Sequence, residues 1–485
     1  MSIRLCRLVA ALCTAAFALP VAHAQPAPEQ GSPSRTVDER IDQLSREVAE
    51  LKNLVRDLQA QVAAQTPARA PAAVPAESAA ATTAAPSPPP SRAPLPPAPT
   101  AISAAPPKAN ADILRGLTVK GMVDGYYEYN TNNPIGRVNY IRAYDVSSNS
   151  FSLNQADLIV ESAPDPDAGK RTGMRIDLQY GQATSTLQGN PTNELRPDVY
   201  RNIFQAYGTY VFPLGTGLSV DFGKWASSLG LEGNYTKDQL NYSRSFWFDY
   251  LPFYHMGVRA KYTVNDELTI NAWITNGTNQ TEAFNNYKDQ LIGLVLTPAP
   301  EISWTLNFYN GQEHPDVAYI TNPSSAQKTL PNQQGTYVLP IANPPNGRLE
   351  ILDNYITWQA TKALTLAAEG DYVHERLYSY STAQHVAGGA LYGGYQLTPR
   401  IALAARLEYL ADVGGLYSGV TQYLKEGTFT LDYRPASDFL MRAEFRRDAS
   451  NQRYFLSDTL GLLETSQQTI GLGLVWWFGQ KEGAW

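Results

Sequence analysis

Cysteine is almost absent from this 485-residue sequence, and its two copies, Cys6 and Cys13, lie near the N-terminus. They fall in a segment with a basic start and a short apolar run. Ala22-His23-Ala24 then supplies the small residues of a signal-peptidase site. We expect residues 1–24 to be a signal peptide, so that the exported chain forms no disulfide. That pattern favours a bacterial envelope protein over a small disulfide-stapled secreted domain.

Long apolar runs and charge are also scarce. No stretch of the exported chain reaches the roughly 18 apolar residues that a membrane-spanning helix needs. Charged residues make up 17% of the chain and the net charge is −7, which leaves no basic patch for nucleic acid. Tyrosine, by contrast, occurs 29 times. Few charges, many tyrosines and no spanning helix fit either a soluble all-β protein or an outer-membrane barrel.

Sequence signals of catalysis and of cofactor binding are missing as well. The sequence has five histidines, and it contains neither the ligand spacing of a metal site nor the glycine-rich loop of a phosphate site. His374 and Glu375 are neighbours on a predicted strand, where adjacent side chains point to opposite faces. We therefore expect no enzyme activity, no catalytic residue, no metal and no cofactor.

Residues 35–65 have a heptad pattern. Apolar residues recur at steps of four and three from Val37 to Val62, which is typical of a left-handed coiled coil. β-branched residues at a and leucines at d favour two strands, whereas Leu54 widens the apolar face and favours three. We expect a self-associating helix, and the alternative is one amphipathic helix packed on its own domain. The preceding residues, 25–34, are expected to be a short disordered segment.

Residues 66–111 are rich in proline, alanine and serine, a composition that cannot bury a core. We expect an extended linker with polyproline II character. Such a linker would place the coiled coil out in the periplasm, where residues 35–65 would bind peptidoglycan or another periplasmic partner. A spacer without a specific role is the alternative.

From residue 112 to 485 the pattern changes to a period of two, which is typical of strands with one apolar and one polar face. An even number of strands, with short turns at one end and long loops at the other, is typical of an outer-membrane barrel. We therefore predict an all-β fold, a 16-stranded antiparallel transmembrane β-barrel. The predicted strands lie at about 117–129, 151–162, 171–181, 202–212, 218–225, 255–263, 268–275, 290–297, 302–309, 350–359, 364–374, 386–397, 401–411, 427–434, 439–447 and 468–478.

Aromatic residues give an independent test of this prediction. If the first strand runs outward, the apolar faces of the strands end in aromatic residues at both rims, as tyrosine and tryptophan prefer the membrane–water interface. The last strand also ends in an aromatic signal for barrel assembly, read either at Phe478 or at Trp485. The rim residues are Tyr127, Tyr180, Phe222, Phe308, Tyr372, Tyr409 and Phe445 on one side and Phe212, Tyr262, Trp358, Tyr395, Tyr433 and Phe478 on the other.

The opposite face of the predicted strands is polar and carries charges of both signs. Sixteen strands enclose an aqueous lumen, in which facing charges favour small polar solutes and ions. The same residues can instead pair with one another as part of the wall. The pore-lining candidates are Lys120, Asp124, Arg175, Asp177, Arg259, Lys261, Arg406, Glu408, Arg442, Glu444 and Arg446.

The third long loop, within residues 223–262, is dense in aromatic residues. They are too many for a solvated loop, so we expect the loop to fold into the barrel, pack its rings on the inner wall and turn its charges to the channel. The alternatives are an aromatic lid over the outer opening and a contact between subunits. The predicted constriction residues are Lys237, Arg244, Trp247 and Asp249.

Three segments, SFSLNQADLIVE, FGKWASSLGLEGNY and NYSRSFWFDYLPFYHMGVRAKY, resemble the OmpL-like β-barrel porin family (putative β-barrel porin-2). The resemblance extends from about residue 115 to 478. It implies a passive outer-membrane channel for small hydrophilic solutes, surrounded by outer-membrane lipids, and it implies no catalytic residues. We expect a homo-oligomer, with a trimer favoured. The alternative function is a structural envelope tether or adhesin, in which the barrel mainly holds the periplasmic coiled coil.

Overall fold

The structure is a computed structural model that describes residues 116–188, 194, 197–320 and 337–479. The predicted signal peptide, coiled coil and linker lie outside the described residues, as does Trp485. Within the described residues, no helix is long and apolar enough to span a membrane.

The described chain forms one closed barrel of sixteen antiparallel strands. Each strand pairs with the next in sequence, and the last pairs with the first from Gly121 opposite Phe478 to Asn130 opposite Thr469. The strands are β1 Thr118–Asn130, β2 Ser150–Ser162, β3 Thr172–Tyr180, β4 Ile203–Phe212, β5 Leu218–Ala226, β6 Tyr254–Asn265, β7 Leu268–Thr275, β8 Asp289–Ala299, β9 Ile302–Gly311, β10 Leu349–Gln359, β11 Leu364–Glu375, β12 Gln384–Thr398, β13 Ile401–Val413, β14 Gln422–Ala436, β15 Phe439–Ser450 and β16 Ser466–Phe478.

The predicted strand number and strand order are confirmed, and the differences lie at strand ends. The largest is at β14, which begins at Gln422 instead of about residue 427. Its first residues keep the alternation of buried and exposed side chains, with Tyr423 and Lys425 facing outward. A polar side chain at the rim reaches water, so polarity there does not end the strand.

Short turns join the strands at one end, and eight longer loops join them at the other. Barrels of this kind place short turns in the periplasm and long loops outside the cell. In chain order, loops 1 to 8 are residues 131–149, 181–202, 227–253, 276–288, 312–348, 376–383, 414–421 and 451–465. Loop 2 contains helices α1 (Gln182–Gln188) and α2 (Pro197–Tyr200), and loop 3 contains a 3-10 turn (Thr236–Asp238) and helix α3 (Phe246–Tyr250). Loop 5 carries the hairpin Val317–Ile320 with Tyr337–Pro340, and loop 8 carries Phe455–Leu456 with Leu463–Glu464.

The outer face of the barrel is apolar and has aromatic residues at both rims. Ten of the thirteen predicted rim residues are exposed on this face, and the other three, Tyr127, Tyr262 and Trp358, are partly exposed. A broad exposed apolar belt is unfavourable in water and suits contact with lipid. The arrangement is therefore that of a barrel embedded in a membrane.

The inner face is polar, but much of it is buried. Asp124, Arg406, Arg442 and Arg446 are each fully enclosed. Buried charges need partners, and the segment that supplies most of these partners is loop 3.

Candidate functional site

Loop 3 lies inside the barrel, and local interactions hold its shape. Helix α3 begins at Phe246, where the Ser245 hydroxyl accepts a hydrogen bond from the Phe248 N–H at 2.9 Å. The Arg244 guanidinium donates to the backbone carbonyls of Gly233 at 3.0 Å and of Tyr242 at 2.7 Å. Serine is a favoured N-cap, and an arginine can satisfy several carbonyls at once because it carries five donors. One side chain thus ties two arms of the loop together.

Acidic side chains of the opposite wall bind the backbone of loop 3. On β15, Glu444 accepts hydrogen bonds from the N–H groups of Tyr242 at 2.6 Å and Ser243 at 2.9 Å. On β13, Glu408 accepts one from the Phe246 N–H at 2.8 Å, at the start of helix α3. Hydrogen bonds to a charged acceptor are stronger than neutral ones. These glutamates therefore fix the loop instead of facing open water.

Two arginines of the same wall bind loop carbonyls. Arg442 on β15 forms a bidentate ion pair with Asp432, with N–O distances of 2.7 and 2.8 Å. It also donates hydrogen bonds to the backbone carbonyls of Gln239 at 2.7 Å and Asn241 at 3.0 Å. Guanidinium geometry suits such paired contacts. The positive charge is balanced by the wall, while the remaining donors hold the loop.

Arg406 on β13 has the same arrangement. It pairs with Glu232 of loop 3 at 2.7 Å, with Glu408 at 2.8 Å and with Glu426 at 3.2 Å, and it donates to the Ser243 carbonyl at 2.8 Å. All four charged groups are buried. Removing Arg406 would leave these buried carboxylates without the cation they share, and breaking a buried ion pair in this way costs about 3–5 kcal/mol.

Loop 3 also contacts the wall on other sides of the barrel. The Tyr242 hydroxyl donates to Asp124 on β1 at 2.8 Å, and the Tyr235 hydroxyl donates to Asp177 on β3. The Gly230 N–H donates to Asp353 on β10 at 2.9 Å. The loop is thus hydrogen-bonded to strands spread around the circumference, and it crosses the lumen instead of covering its outer opening.

Two inner-wall glycines make room for the loop. A Cβ added to Gly394 on β12 would lie 2.8 Å from Leu240, and one added to Gly473 on β16 would lie 2.2 Å from the ring of Tyr242. Carbon atoms in ordinary contact lie about 3.5–4.0 Å apart. Any larger residue at these positions would therefore push the loop away from the wall.

Where loop 3 leaves β5, aromatic rings fill the inner side. Trp225 packs edge-on against Trp273 at 5.9 Å between ring centroids, and His255 lies 5.6 Å from Tyr309. Trp247 of α3 belongs to the same buried cluster. Buried aromatic pairs of this kind stabilise a fold by more than the apolar area they bury would account for.

The four predicted constriction residues occupy different environments. Lys237 is 4% exposed and pairs with Asp238 at 2.8 Å, and Arg244 is enclosed by the loop carbonyls described above. Trp247 is fully buried. Carbonyl and carboxylate groups of the folded loop surround the Lys237 and Arg244 cations and take the place of water as their partners. Asp249 lies at the edge of loop 3 and accepts a hydrogen bond from the Tyr417 hydroxyl at 2.7 Å.

Asp249 has an unusual protonation equilibrium. Burial raises the pKa of its carboxyl to about 6, and the Tyr417 hydrogen bond opposes this effect. Desolvation disfavours the charged form of an acid. The charge of Asp249 therefore changes in the mildly acidic range.

The predicted pore-lining residues fall into two groups. The first, called the covered group here, consists of buried residues that lie under loop 3 or form contacts with other side chains of the wall. Arg175, Arg259 and Lys261, on the periplasmic halves of β3 and β6, remain partly or fully exposed on the inner face, and Arg259 pairs with Asp221 at 2.6 Å. The covered group is Lys120, Asp124, Asp177, Arg406, Glu408, Arg442, Glu444 and Arg446.

Cavities lie on the extracellular side of loop 3. One of about 420 Å³ is bordered by Asp249, Tyr250, Tyr254 and Glu194. A second, of about 280 Å³, also touches Tyr250 and includes Glu313, whose pKa is raised well above its usual range by burial and by nearby Asp289. Acidic groups and tyrosines line this outer vestibule. The sequence alone did not predict it, because its residues come from loops that lie far apart in the chain.

The family model described as "Putative beta-barrel porin-2, OmpL-like" matches residues 116–478. The chain belongs to this family. It is an outer-membrane porin, a passive diffusion channel in the bacterial outer membrane. No curated relative matches the sequence.

The fold of this porin is similar to those of solved outer-membrane proteins. The outer membrane channel DcaP of Acinetobacter baumannii is 10% identical, with 75% of this chain and 97% of that chain covered and a TM-score of 0.46. OmpT of Vibrio cholerae in its trimer form is 9% identical over 75% and 99%, with a TM-score of 0.47. The anion-selective porin from Comamonas acidovorans is 8% identical over 75% and 99%, with a TM-score of 0.46.

Proposed function

We propose that loop 3 is the constriction of this porin. The observation that carries the proposal is the ring of hydrogen bonds that ties the loop to β1, β3, β10, β13 and β15 across the lumen. A loop held on several sides leaves only narrow gaps for water and small hydrophilic solutes. The channel is therefore expected to have a small conductance that loop 3 limits.

The two ends of the passage differ in charge. Above loop 3, the vestibule is lined by Glu194 and Asp249. Below it, the inner face carries the exposed Lys261, while Arg175 and Arg259 pair with Asp177 at 2.9 Å and Asp221 at 2.6 Å. Surface charge of one sign raises the local concentration of the opposite ion. We propose that the outer vestibule attracts cations and that the inner side favours anions, so that ion flow depends on the sign of the applied voltage.

Cysteine labelling in planar bilayers tests this arrangement, because the only native cysteines lie in the predicted signal peptide. A cysteine at Lys261 should react with a charged thiosulfonate added from the periplasmic side and reduce the current. A cysteine at Trp247, which is fully buried, serves as the matched control and should not react. Equal reaction at both positions would contradict the proposed position of loop 3.

Deletion of residues 233–250 tests the constriction itself. The deletion removes both the 3-10 turn and α3, and single-channel conductance should rise. A folded barrel with unchanged conductance would refute the role of the loop.

We also propose that the porin is a homo-oligomer, with a trimer favoured, and that residues 35–65 lie in the periplasm and bind another copy or a cell-wall partner. The heptad pattern supports this proposal. The tether or adhesin is the second candidate, and recordings of residues 111–485 distinguish the two. Stable channels support the porin. If the barrel conducts no current and the full-length chain still co-purifies with cell wall, the tether is supported.

A further inference from the structure

Three acidic side chains of the inner wall lie together beside the first residues of loop 3. They are Asp353 on β10 and Glu369 and Asp371 on β11. All three are buried, and their carboxylate oxygens lie within 4.8 Å of one another. In the strand register Asp353 stands directly opposite Asp371. Like charges in that relation destabilise a sheet unless something balances them.

The donors that the described residues supply to this acidic cluster are neutral. Asp353 accepts hydrogen bonds from Asn307 at 2.7 Å and from the Gly230 N–H, and Glu369 accepts them from the Leu231 N–H at 2.8 Å and from a tyrosine. In the part of the chain that the structure describes, no lysine or arginine forms an ion pair with the cluster. Among the described residues, the three neighbouring carboxyl groups thus have no balancing positive charge.

Asp371 provides the second observation. Its side chain is 5% exposed, and within the described residues no donor outside the cluster reaches either of its carboxylate oxygens. A buried carboxylate without a donor is costly, and a bound cation would remove that cost.

We propose that Asp353, Glu369 and Asp371 form a binding site for a hard divalent cation, with Ca²⁺ as the favoured ion. The cluster offers carboxylate oxygens and no nitrogen or sulfur ligand, which suits Ca²⁺ or Mg²⁺. Ca²⁺ tolerates irregular arrangements of carboxylates, whereas Mg²⁺ demands near-octahedral geometry. The bound ion would hold the wall carboxylates that bind Gly230 and Leu231, and so would fix the start of loop 3.

Terbium luminescence tests the site in the full chain, purified in detergent and stripped with EDTA. Tyr392 donates to Glu369 at 3.0 Å, so a Tb³⁺ ion in the cluster should be sensitised by excitation of tyrosine. We expect one saturable Tb³⁺ site that Ca²⁺ displaces. Asp371→Asn should weaken binding at least tenfold, since it removes the carboxylate that has no other partner.

The matched control is Asp221→Asn, an inward acid on β5 that pairs with Arg259 at 2.6 Å. It should bind Tb³⁺ as the wild type does. Heat-dependent migration in SDS gels verifies that each variant forms a barrel. The proposal is overturned if the folded wild type shows no saturable site, in which case protons balance the cluster, or if Asp371→Asn binds as tightly as wild type. The measurement involves no solute flux, so it stands apart from the proposed constriction.

Discussion

Replacing Gly473 by alanine is the sharpest test of how loop 3 is seated. The added Cβ would lie 2.2 and 2.4 Å from two carbons of the Tyr242 ring, while ordinary contacts between carbons need about 3.5 Å. The ring must therefore move by more than about 1 Å, which strains its hydrogen bond of 2.8 Å to Asp124. Position 473 faces inward, so the strand ladder itself is not altered.

The cost of the change can be estimated from two effects. Overpacking a well-packed site costs about 1–3 kcal/mol, and weakening a hydrogen bond to a buried acid costs a further 1–3 kcal/mol or so. A cost of about 1.4 kcal/mol changes a population tenfold. The observed position of the segment around Tyr242 should therefore become at least about tenfold less favoured relative to displaced positions, while the barrel stays closed.

Single-channel recording at fixed salt measures the result, with Gly471→Ala as the matched control. Gly471 lies two residues earlier on β16, and a Cβ there would meet its nearest atom at 3.5 Å, an ordinary contact. Gly473→Ala should show a higher or noisier conductance than wild type, and Gly471→Ala should match wild type. Identical traces from both folded variants would refute the constriction.

Four further predictions concern Glu444, Asp249 and residues 35–65. Glu444→Gln keeps the shape of the side chain but replaces the charged acceptor of two loop N–H groups with a neutral one. The binding of the loop to the wall should weaken by about 1–3 kcal/mol, and the conductance should rise. Asp249 should lose its charge as the pH falls through about 6, so cation preference, measured by reversal potential, should drop there in wild type and not in Asp249→Asn. Because the pKa of Asp249 is higher in the folded protein than its usual value of 3.8, the folded state loses stability as the pH rises from 3.8 towards 6. Asp249→Asn should therefore flatten that part of the stability profile measured by thermal unfolding. Deleting residues 35–65 should leave single-channel conductance unchanged and lower the oligomer mass measured by light scattering.

The strands were predictable because their pattern is local. In a membrane barrel each strand has lipid on one side and a polar interior on the other, so alternation is visible within a single segment. Rim residues such as Tyr180 and Phe478 followed from the same alternation. Only strand ends, such as that of β14, were misplaced, because the rim tolerates both polar and apolar residues.

The environment of the inner charges was not predictable in the same way. Alternation shows that Arg442 faces inward, but it cannot show whether water or a loop lies beside it. The partners are remote in sequence: the Phe246 N–H and its acceptor Glu408 are 162 positions apart, and the Gly230 N–H and Asp353 are 123 apart. A glycine on the inner face, such as Gly473, was the available signal of close approach.

The sequence by itself determined a sixteen-stranded barrel, the two faces of each strand and the place of the aromatic-rich segment as the third long loop. These features depend on the chemistry of neighbouring residues and on the lipid around them. The tertiary structure decided which inward charges hold loop 3 and which remain accessible, and it brought Asp353 and Asp371 face to face beside Glu369. The first outcome depends on the path of one loop across a closed barrel, which is set by contacts between the loop and strands far from it in the chain, and the second depends on the register of β10 with β11.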